Sequence, residues 1–522
     1  MGIAFYFPLI SVLRLGFDGH LLQIDPNEIG IWPVFWFTIW QAAISTLIAL
    51  ILGLPAAYIL YRRSFSGASL IRSVITVPFM LPSLVVAMAV IEMSRPFGGF
   101  DPVFAILVAN LFANFAVVVR TVGSQWQNIT EQTEEEAELS GAGRVRTLFT
   151  VVLPQLAGSI RSSSAIIFLY CASSYGIVLS LGGGRVNTLE TALSITVLER
   201  LDLSHGAALA LLQVLLTLAA FTVSRWGGAN PLSFESQVAA KKKLDRRDLP
   251  VFFFTLITTF VLVITPLFLV LINAFLDQAG KFTLENFVLL ETRGYRNLLN
   301  ITLFDASLNS LRNLVISTLL AIAIGGLVSF LLAERSRKTK KQGTDFVAIS
   351  LDAVFLLPIG VSAVVLGLGY LIALSGDLAI LRAQWFILPL VQSVFAIPMV
   401  IRVLYPALVS IESSPREQAM TEGAGSWRIL TAIDLKIVRS ALRTAIVFAA
   451  LVSLGEFGSA SLLSYSDQAT VPVLLYQLIS RPGNQNYNMA LAVAAILTLV
   501  TILATNLVGS EEKPTRKKRV MN

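Results

Sequence analysis

Long apolar runs alternate with short polar segments along the whole chain. A helix needs about 20 apolar residues to cross a bilayer, and these runs read as helical spans rather than barrel strands. The pattern predicts helices near 32–61, 70–93, 103–122, 160–181 and 206–225, then 250–276, 308–334, 346–374, 384–408, 440–464 and 486–509. The start is different. "FYFPLISVLRLGFD" resembles the end of the run "VITPLFLVLINAFLD", aligning Pro8 with Pro266, but only about a dozen apolar residues precede Asp18. It also lacks the basic flank and cleavage site of a signal peptide. Two readings stay open: a first helix cut short at its start, or a short tilted or interfacial segment.

The polar segments carry the orientation. Lys and Arg gather in "YRRSFSGASLIR", "AAKKKLDRRDLP", "AERSRKTKKQG" and the tail "KPTRKKRVMN". With alternating spans these fall on one side, which is the cytoplasmic side because cytoplasmic loops concentrate basic residues. Both termini are then cytoplasmic. Composition agrees, with 55% hydrophobic and 14% charged residues against about 25% charged in soluble domains. The net charge of +7 follows from those loops, so nucleic acid is not needed to explain it. The single cysteine, Cys171, rules out a disulfide within one chain, and His20 and His205 lack partners at metal-ligand spacing.

One polar stretch occurs twice. "EEAELSGAGRVRTLFTVVLP" (Glu135 to Pro154) is repeated by "EQAMTEGAGSWRILTAIDLK" (Glu417 to Lys436). Glu135/Glu417, Ala137/Ala419, Gly141/Gly423, Ala142/Ala424, Gly143/Gly425 and Arg146/Arg428 match at one offset (417 − 135 = 282). The offset also pairs Asn110 with Gln392, Arg120 with Arg402, Gly176 with Gly458, and Thr188 with Thr470. Earlier, Gly53 falls on Gly325 (325 − 53 = 272) and Leu81 on Leu357 (357 − 81 = 276), so loop insertions shift the register. The chain therefore reads as a tandem duplication. Its expected parts are a first repeat (1–225), a basic cytoplasmic linker (226–249), a second repeat (250–509) and a basic tail (510–522). An even number of spans per half keeps both copies in one orientation, related by an axis along the membrane normal. The predicted fold is an all-α polytopic membrane protein: two tandem parallel six-helix repeats, 11 to 12 spans, and a pathway between them.

Within each copy, residues such as Glu135 to Ser140 favour a short helix, and Gly141 with Gly143 supply a turn. Val145, Leu148, Phe149 and Val152 follow at i, i+3, i+4 and i+7, an apolar face expected to pack on the membrane domain. Pro154 then opens the next span, where its missing donor costs little. A loop that merely solubilised the turn has little reason to keep this register in two diverged halves.

The pattern Glu-x-Ala-x-x-x-Gly, with Pro154 thirteen residues past the glycine (154 − 141 = 13), resembles the "EAA" loop of binding-protein-dependent ABC importer permeases. The resemblance covers essentially the whole chain as a fused, two-copy permease of the inner membrane. It implies that Glu135, Ala137, Gly141, Arg146 and Pro154, with Glu417, Ala419, Gly423 and Arg428, form two coupling loops that dock on cytoplasmic ATPase subunits. Two copies of that ATPase would bind ATP and Mg, and an external binding protein would deliver the cargo. The copies are unequal: Glu136 faces Gln418, and Pro154 faces Lys436. "IVLSLGGGRVNTLETAL" and "SLGEFGSASLLS" followed by "TVPVLLYQLI" look like fused permeases for thiamine and for ferric iron, the first string closer to thiamine.

Candidate pathway residues are Asn110, Ser174, Gln392 and Glu456. An ionisable group inside a span costs about 3 kcal/mol on insertion scales unless it faces water or a partner. Glu456, paired with Ser174 across the repeat, suits a small cationic cargo or a hydrogen bond to a neighbouring helix. Asn110 and Gln392 suit the pathway or interhelical bonding. Asp277, Glu285 and Glu291 of the external loop 277–307 offer a seat for a binding protein or a solvated surface. The chain has no G-x-x-x-x-G-K-[ST] loop, no nucleophile–base cluster and no clustered metal ligands. It reads as a translocation subunit without catalytic, cofactor or metal sites of its own. The rival from another class is an ion-gradient-driven secondary transporter, which leaves the paired loops unexplained.

Overall fold

The computed structural model describes residues 2–17, 30–129, 136, 139–225, 242–297, 299–339, 354–355, 358, 361–411, 413–465 and 467–509. The first half holds α1 (Phe7–Phe17), α2 (Ile31–Arg62), α3 (Ala68–Met80), α4 (Ser83–Ser94), α5 (Pro102–Trp126), α6 (Leu153–Ala172), α7 (Tyr175–Leu181), α8 (Leu189–Leu198) and α9 (Leu203–Arg225). The second holds α10 (Leu249–Thr259), α11 (Thr265–Asn273), α12 (Leu303–Thr339), α13 (Ala363–Ala373), α14 (Ile387–Val409) and α15 (Ser413–Thr421). It continues with α16 (Arg439–Gly455), α17 (Gly458–Leu463), α18 (Val471–Ser480) and α19 (Asn484–Gly509). Among the described residues the one sheet is a two-residue parallel pairing of Arg63–Ser64 with Lys242–Lys243. Beside it, Arg63 pairs with the buried Asp248 at 2.8 Å, and Tyr58 donates to the same carboxylate at 3.0 Å. Residues 226–241 of the expected linker and the tail 510–522 lie outside the described residues.

Eight described helices are long and apolar enough to cross a membrane, or ten if two bent pairs each count as one span. Three predicted spans are not single helices. The run 70–93 splits into α3 and α4, which meet at 109°. Pro82 has no amide donor and forces Leu81 into an extended conformation (ψ 144°). The run 160–181 breaks after Ala172 at Ser173–Ser174. The run 440–464 ends as a helix at Gly455 and resumes at Gly458. Of the run 346–374, α13 is its described helix, and residues 346–353 lie outside the description.

Lipid tails are as apolar as leucine, so helices in a bilayer associate through close packing and hydrogen bonds rather than burial alone. Both devices recur in matching places. Helix α2 packs on α5 and α6 as α12 packs on α14 and α16. A methyl group at Gly53 would fall 2.6 Å from the Val118 Cβ, and one at Gly325 2.9 Å from the Val400 Cβ. Each three-helix group also has a buried polar knot. In the first, Asn110 donates to Gln41 at 2.9 Å, Gln41 donates to the Cys171 carbonyl at 2.8 Å, and Asn114 donates to the Asn110 carbonyl at 2.9 Å. In the second, Ser453 donates to Gln392 at 2.7 Å. Ser453 aligns with Cys171 (453 − 171 = 282), and Asn313 with Gln41 (313 − 41 = 272).

The halves are laced together by exchange. Helix α1 packs on α9 of its own half and on α13 of the other, and α11 packs on α19 and on α4. The N-terminal segment is thus a seated helix: Phe5 and Val12 are fully buried, and Tyr370 of α13 donates to the Ala4 carbonyl at 2.8 Å. On the side away from the repeated loops, Glu92 of α4 accepts from Asn273 and Tyr487 of the second half and pairs with Arg95 at 3.3 Å.

Candidate functional site: two elbows and a cavity between the halves

The repeated stretches form two exposed elbows. In the second, α15 ends in a Schellman motif: Ala424 N–H donates to the Ala419 carbonyl at 2.9 Å and Gly423 N–H to the Met420 carbonyl at 3.0 Å. The motif needs a left-handed residue after the helix, which is glycine's role because a Cβ there collides with backbone. Gly423 has φ +84° and Gly141 has φ +81°. Ala419 and Ala424 are the small pair whose contact accompanies such a cap. The Ala and Gly of the sequence motif therefore have a local structural reason.

The remaining loop residues fall as follows. Glu135 and Ala137 lie outside the described residues, and Glu417 sits in α15 with only its backbone described. Arg146 and Arg428 are exposed. Pro154 stands in the first turn of α6, where the helix runs on without a break from Val145 to Ala172. Its counterpart segment, Thr431–Ile437, meets α16 at 63° instead. The apolar face expected to pack on the membrane domain does so only in part. Val152 is buried and Leu148 half-buried, but Val145 (71% exposed) and Phe149 (64%) project outward, with Leu139 (88%) beside the turn. Residues 148–152 form a wide π turn, which breaks the 3.6-residue register that the i, i+3, i+4, i+7 pattern assumes.

The second elbow is tied down by charge. Arg416 of α15 pairs with Glu334 of α12 at 2.5 Å and with the fully buried Asp434 at 3.1 Å. Asp434 takes the place of Val152 (434 − 152 = 282), so one elbow is seated by an apolar contact and the other by an ion pair.

The second feature lies where the helix breaks of both halves converge. A cavity of about 190 Å³ is lined by Ser83, Ser173, Tyr175, Gly176, Glu190, Ala363, Val364, Glu456, Phe457 and Gly458. Close glycine contacts bring the breaks to the neighbouring helix starts. A methyl at Gly176 would fall 2.2 Å from the Ser83 Oγ, and one at Gly458 3.1 Å from the Ala363 Cβ. These contacts correspond between the halves, since Gly176 aligns with Gly458 (458 − 176 = 282) and Ser83 and Ala363 are the first residues of α4 and α13.

Of the four pathway candidates, Glu456 lines this cavity. It is not inside a continuous helix but at the break, and its carboxylate closes the start of α17. It accepts from Ser459 N–H at 2.8 Å, Ser459 Oγ at 2.5 Å and Ala460 N–H at 3.3 Å. Those bonds offset the cost of burying the charge. Ser174 lies beside the cavity and donates to the Cys171 carbonyl at 2.8 Å, while Asn110 and Gln392 belong to the polar knots. Glu190 escaped the sequence reading. It is fully buried at the start of α8, lines the cavity and accepts from Gln213 at 3.3 Å. Its aligned residue is Pro472, so the repeat gave no sign of it. In the loop 277–307, Asp277 shapes its own turn by accepting from Ala279 and Lys281 N–H, and Glu285 and Glu291 are exposed.

Residues 49–227 match the family described as "Binding-protein-dependent transport system inner membrane component". The chain is similar to thiamine transport system permease proteins of three bacteria. That of Escherichia coli strain K12 is 24% identical over 490 residues, 90% of this chain and 87% of the relative. That of Brucella abortus strain 2308 is 25% identical over 508 residues, covering 94% and 89%. That of Haemophilus influenzae is 26% identical over 490 residues, covering 89% and 86%. Residues 49–227 thus carry that permease domain, and along nine-tenths of its length the chain is similar to transmembrane permeases of thiamine transport systems.

Proposed function

We propose that the chain is the fused two-copy translocation subunit of an ATP-driven importer, with repeats at 1–225 and 250–509 joined by the basic linker 226–249 and ending in the basic tail 510–522. The observation that carries this reading is the doubled elbow. Two left-handed glycine turns, Gly141 and Gly423, stand at matching places of the repeat, with Leu139, Val145 and Phe149 uncovered near the first. A monomer rarely leaves such side chains clustered and bare unless something seats on them.

The elbows face the cytoplasm in this reading, as do both termini, following the basic loops. Each docks on one of two ATPase subunits, which bind ATP and Mg. Closure of those subunits pulls both elbows together. Because α6 runs unbroken from the first elbow to the break at Ser173, a displacement at Arg146 is carried to the cavity wall. The second elbow reaches its break through the bend at Val438 and is fastened to α12 through Arg416. The two halves then part on the far face, where a loaded external binding protein releases its cargo.

Thiamine is the cargo this reading favours, since the similar permeases carry that name and two carboxylates line the cavity. Ferric iron prefers several oxygen or nitrogen ligands, and among the described residues no group of three or more His, Cys, Asp or Glu side chains is gathered. The test is copurification with a partner ABC ATPase. Wild type should hold the ATPase, and Gly141→Asp with Gly423→Asp should release it. An ATPase held equally by both would remove the coupling role of the elbows.

A further inference from the structure

Tyr175 and Phe457 occupy equivalent positions in the two halves (457 − 175 = 282) and lie face to face, with ring centroids 5.3 Å apart and planes 19° from parallel. Both sit at helix breaks: Tyr175 is the first residue of α7, and Phe457 directly precedes α17. Tyr476 of α18 flanks Phe457 at 5.4 Å. The Tyr175 hydroxyl shares a 2.7 Å hydrogen bond with Ser194 and accepts from Ser461 of the other half at 3.2 Å. Both rings line the cavity, whose 190 Å³ is below the 300 Å³ or so of a typical small-molecule site.

The charge around the rings is arranged by hand rather than by symmetry. The starts of α4, α7, α13 and α17 all surround the cavity, through Ser83, Tyr175, Ala363 and Gly458. The longer two, α4 and α13, carry a partial positive charge of about +0.5 at their starts, which alone would favour an anion. Glu190 and Glu456, one from each half, offset that field, and neither aligns with a second acid, since their counterparts are Pro472 and Ser174.

We propose that Tyr175 and Phe457 are an aromatic gate that parts to take a flat heteroaromatic cation between its rings, with Glu190 and Glu456 fixing the preference for positive charge. This rests on the importer reading and deepens it by naming the residues that select the cargo. When the halves separate, the two rings lose their mutual contact. A flat ring inserted between them restores a stacked contact on each face, and its positive charge is attracted by both aromatic faces. A hydrated metal ion or an inorganic anion gains no such stacking. The carboxylates stay in place while the rings move: Glu456 is held by α17 itself, and Glu190 by Gln213.

The test uses the full complex in proteoliposomes, with the chain, its ATPase and thiamine-loaded binding protein. In a Cys171→Ser background, Ser173→Cys, which lines the cavity and keeps both rings, should react with a charged methanethiosulfonate during ATP turnover, and thiamine should slow that reaction about tenfold. Tyr175→Leu and Phe457→Leu should each lower thiamine carried per ATP hydrolysed by about tenfold, the loss of one stacked cationic contact. Phe457→Tyr should stay within about twofold, which separates loss of an aromatic face from misfolding. Glu190→Gln should lower the same ratio about tenfold, and Glu190→Asp should recover part of it. Leucine variants that carry thiamine within twofold of wild type, or labelling at position 173 that thiamine does not slow, would overturn the proposal. Wild-type vesicles that hydrolyse ATP but carry no thiamine would instead overturn the importer reading beneath it.

Discussion

The four elbow glycines separate what the fold needs from what a partner needs. Gly141 and Gly423 are left-handed, at φ +81° and +84°, whereas Gly143 and Gly425 are not. No atom lies within 4 Å of a methyl group built at any of the four. Alanine at Gly141 or Gly423 therefore costs only backbone strain, about 1–2 kcal/mol for an L-residue in the left-handed region. At 1.4 kcal/mol per tenfold, each substitution lowers the fraction of correctly turned elbow by about 5- to 30-fold. Asparagine tolerates the left-handed region better and should recover much of that loss. Gly143→Ala and Gly425→Ala cost the isolated chain nothing. The assay is titration of the purified ATPase onto the chain held in nanodiscs, alongside thermal unfolding of the chain alone. Gly141→Ala and Gly423→Ala should each weaken ATPase binding by about that factor. Weaker binding in Gly143→Ala with unchanged unfolding would mark a close approach by the partner. The reasoning is refuted if Gly141→Ala and Gly423→Ala bind within twofold of wild type, or if Gly143→Ala lowers the stability of the chain alone.

Three further outcomes follow from the packing. Arg416→Ala leaves the buried Asp434 unpaired and should cost about 3–5 kcal/mol, read as early proteolysis and unfolding of the second elbow. Arg416→Leu with Asp434→Val, which copies the apolar seat at Val152, should recover most of it. Gly53→Ala forces a methyl against Val118 and should cost about 1–3 kcal/mol of overpacking, with Val118→Ala relieving it in a double-mutant cycle. Gln41→Leu strands the partners of the first polar knot and should cost about 1–3 kcal/mol in an unfolding titration. Asn313→Leu, at the matching place where neither amide atom has a partner, should be neutral or stabilising in the same titration.

What the sequence revealed was what it stated twice. The matches Gly141/Gly423 and Ala419 with its counterpart Ala137 located the elbows, because a left-handed turn and its small flanking pair constrain residue type locally. Gly176/Gly458 and Gly53/Gly325 were visible as matches, but their meaning lay in a distant helix: Ser83, Ala363, Val118 and Val400 fill the space a side chain would take. The helix breaks at Ser173 and Glu456 were hidden because their flanks are as apolar as a continuous span, and hydropathy does not register a change of direction. Leu81–Pro82 did carry a local signal, a proline that bars the helix from continuing. Glu190 was illegible for a different reason. It has no matching acid, and its burial depends on Gln213 and on the α13 start, which only folding brings near.

The central claim is that two elbows on this chain couple ATP hydrolysis in a partner to passage of a small cation between the halves. Thiamine uptake into proteoliposomes tests it most directly, comparing vesicles with and without the ATPase and with and without a proton or sodium gradient. The account predicts uptake that requires ATP, the ATPase and the loaded binding protein, ignores the gradient, and is abolished by Gly141→Asp with Gly423→Asp. Uptake driven by the gradient in vesicles that contain no ATPase would contradict it.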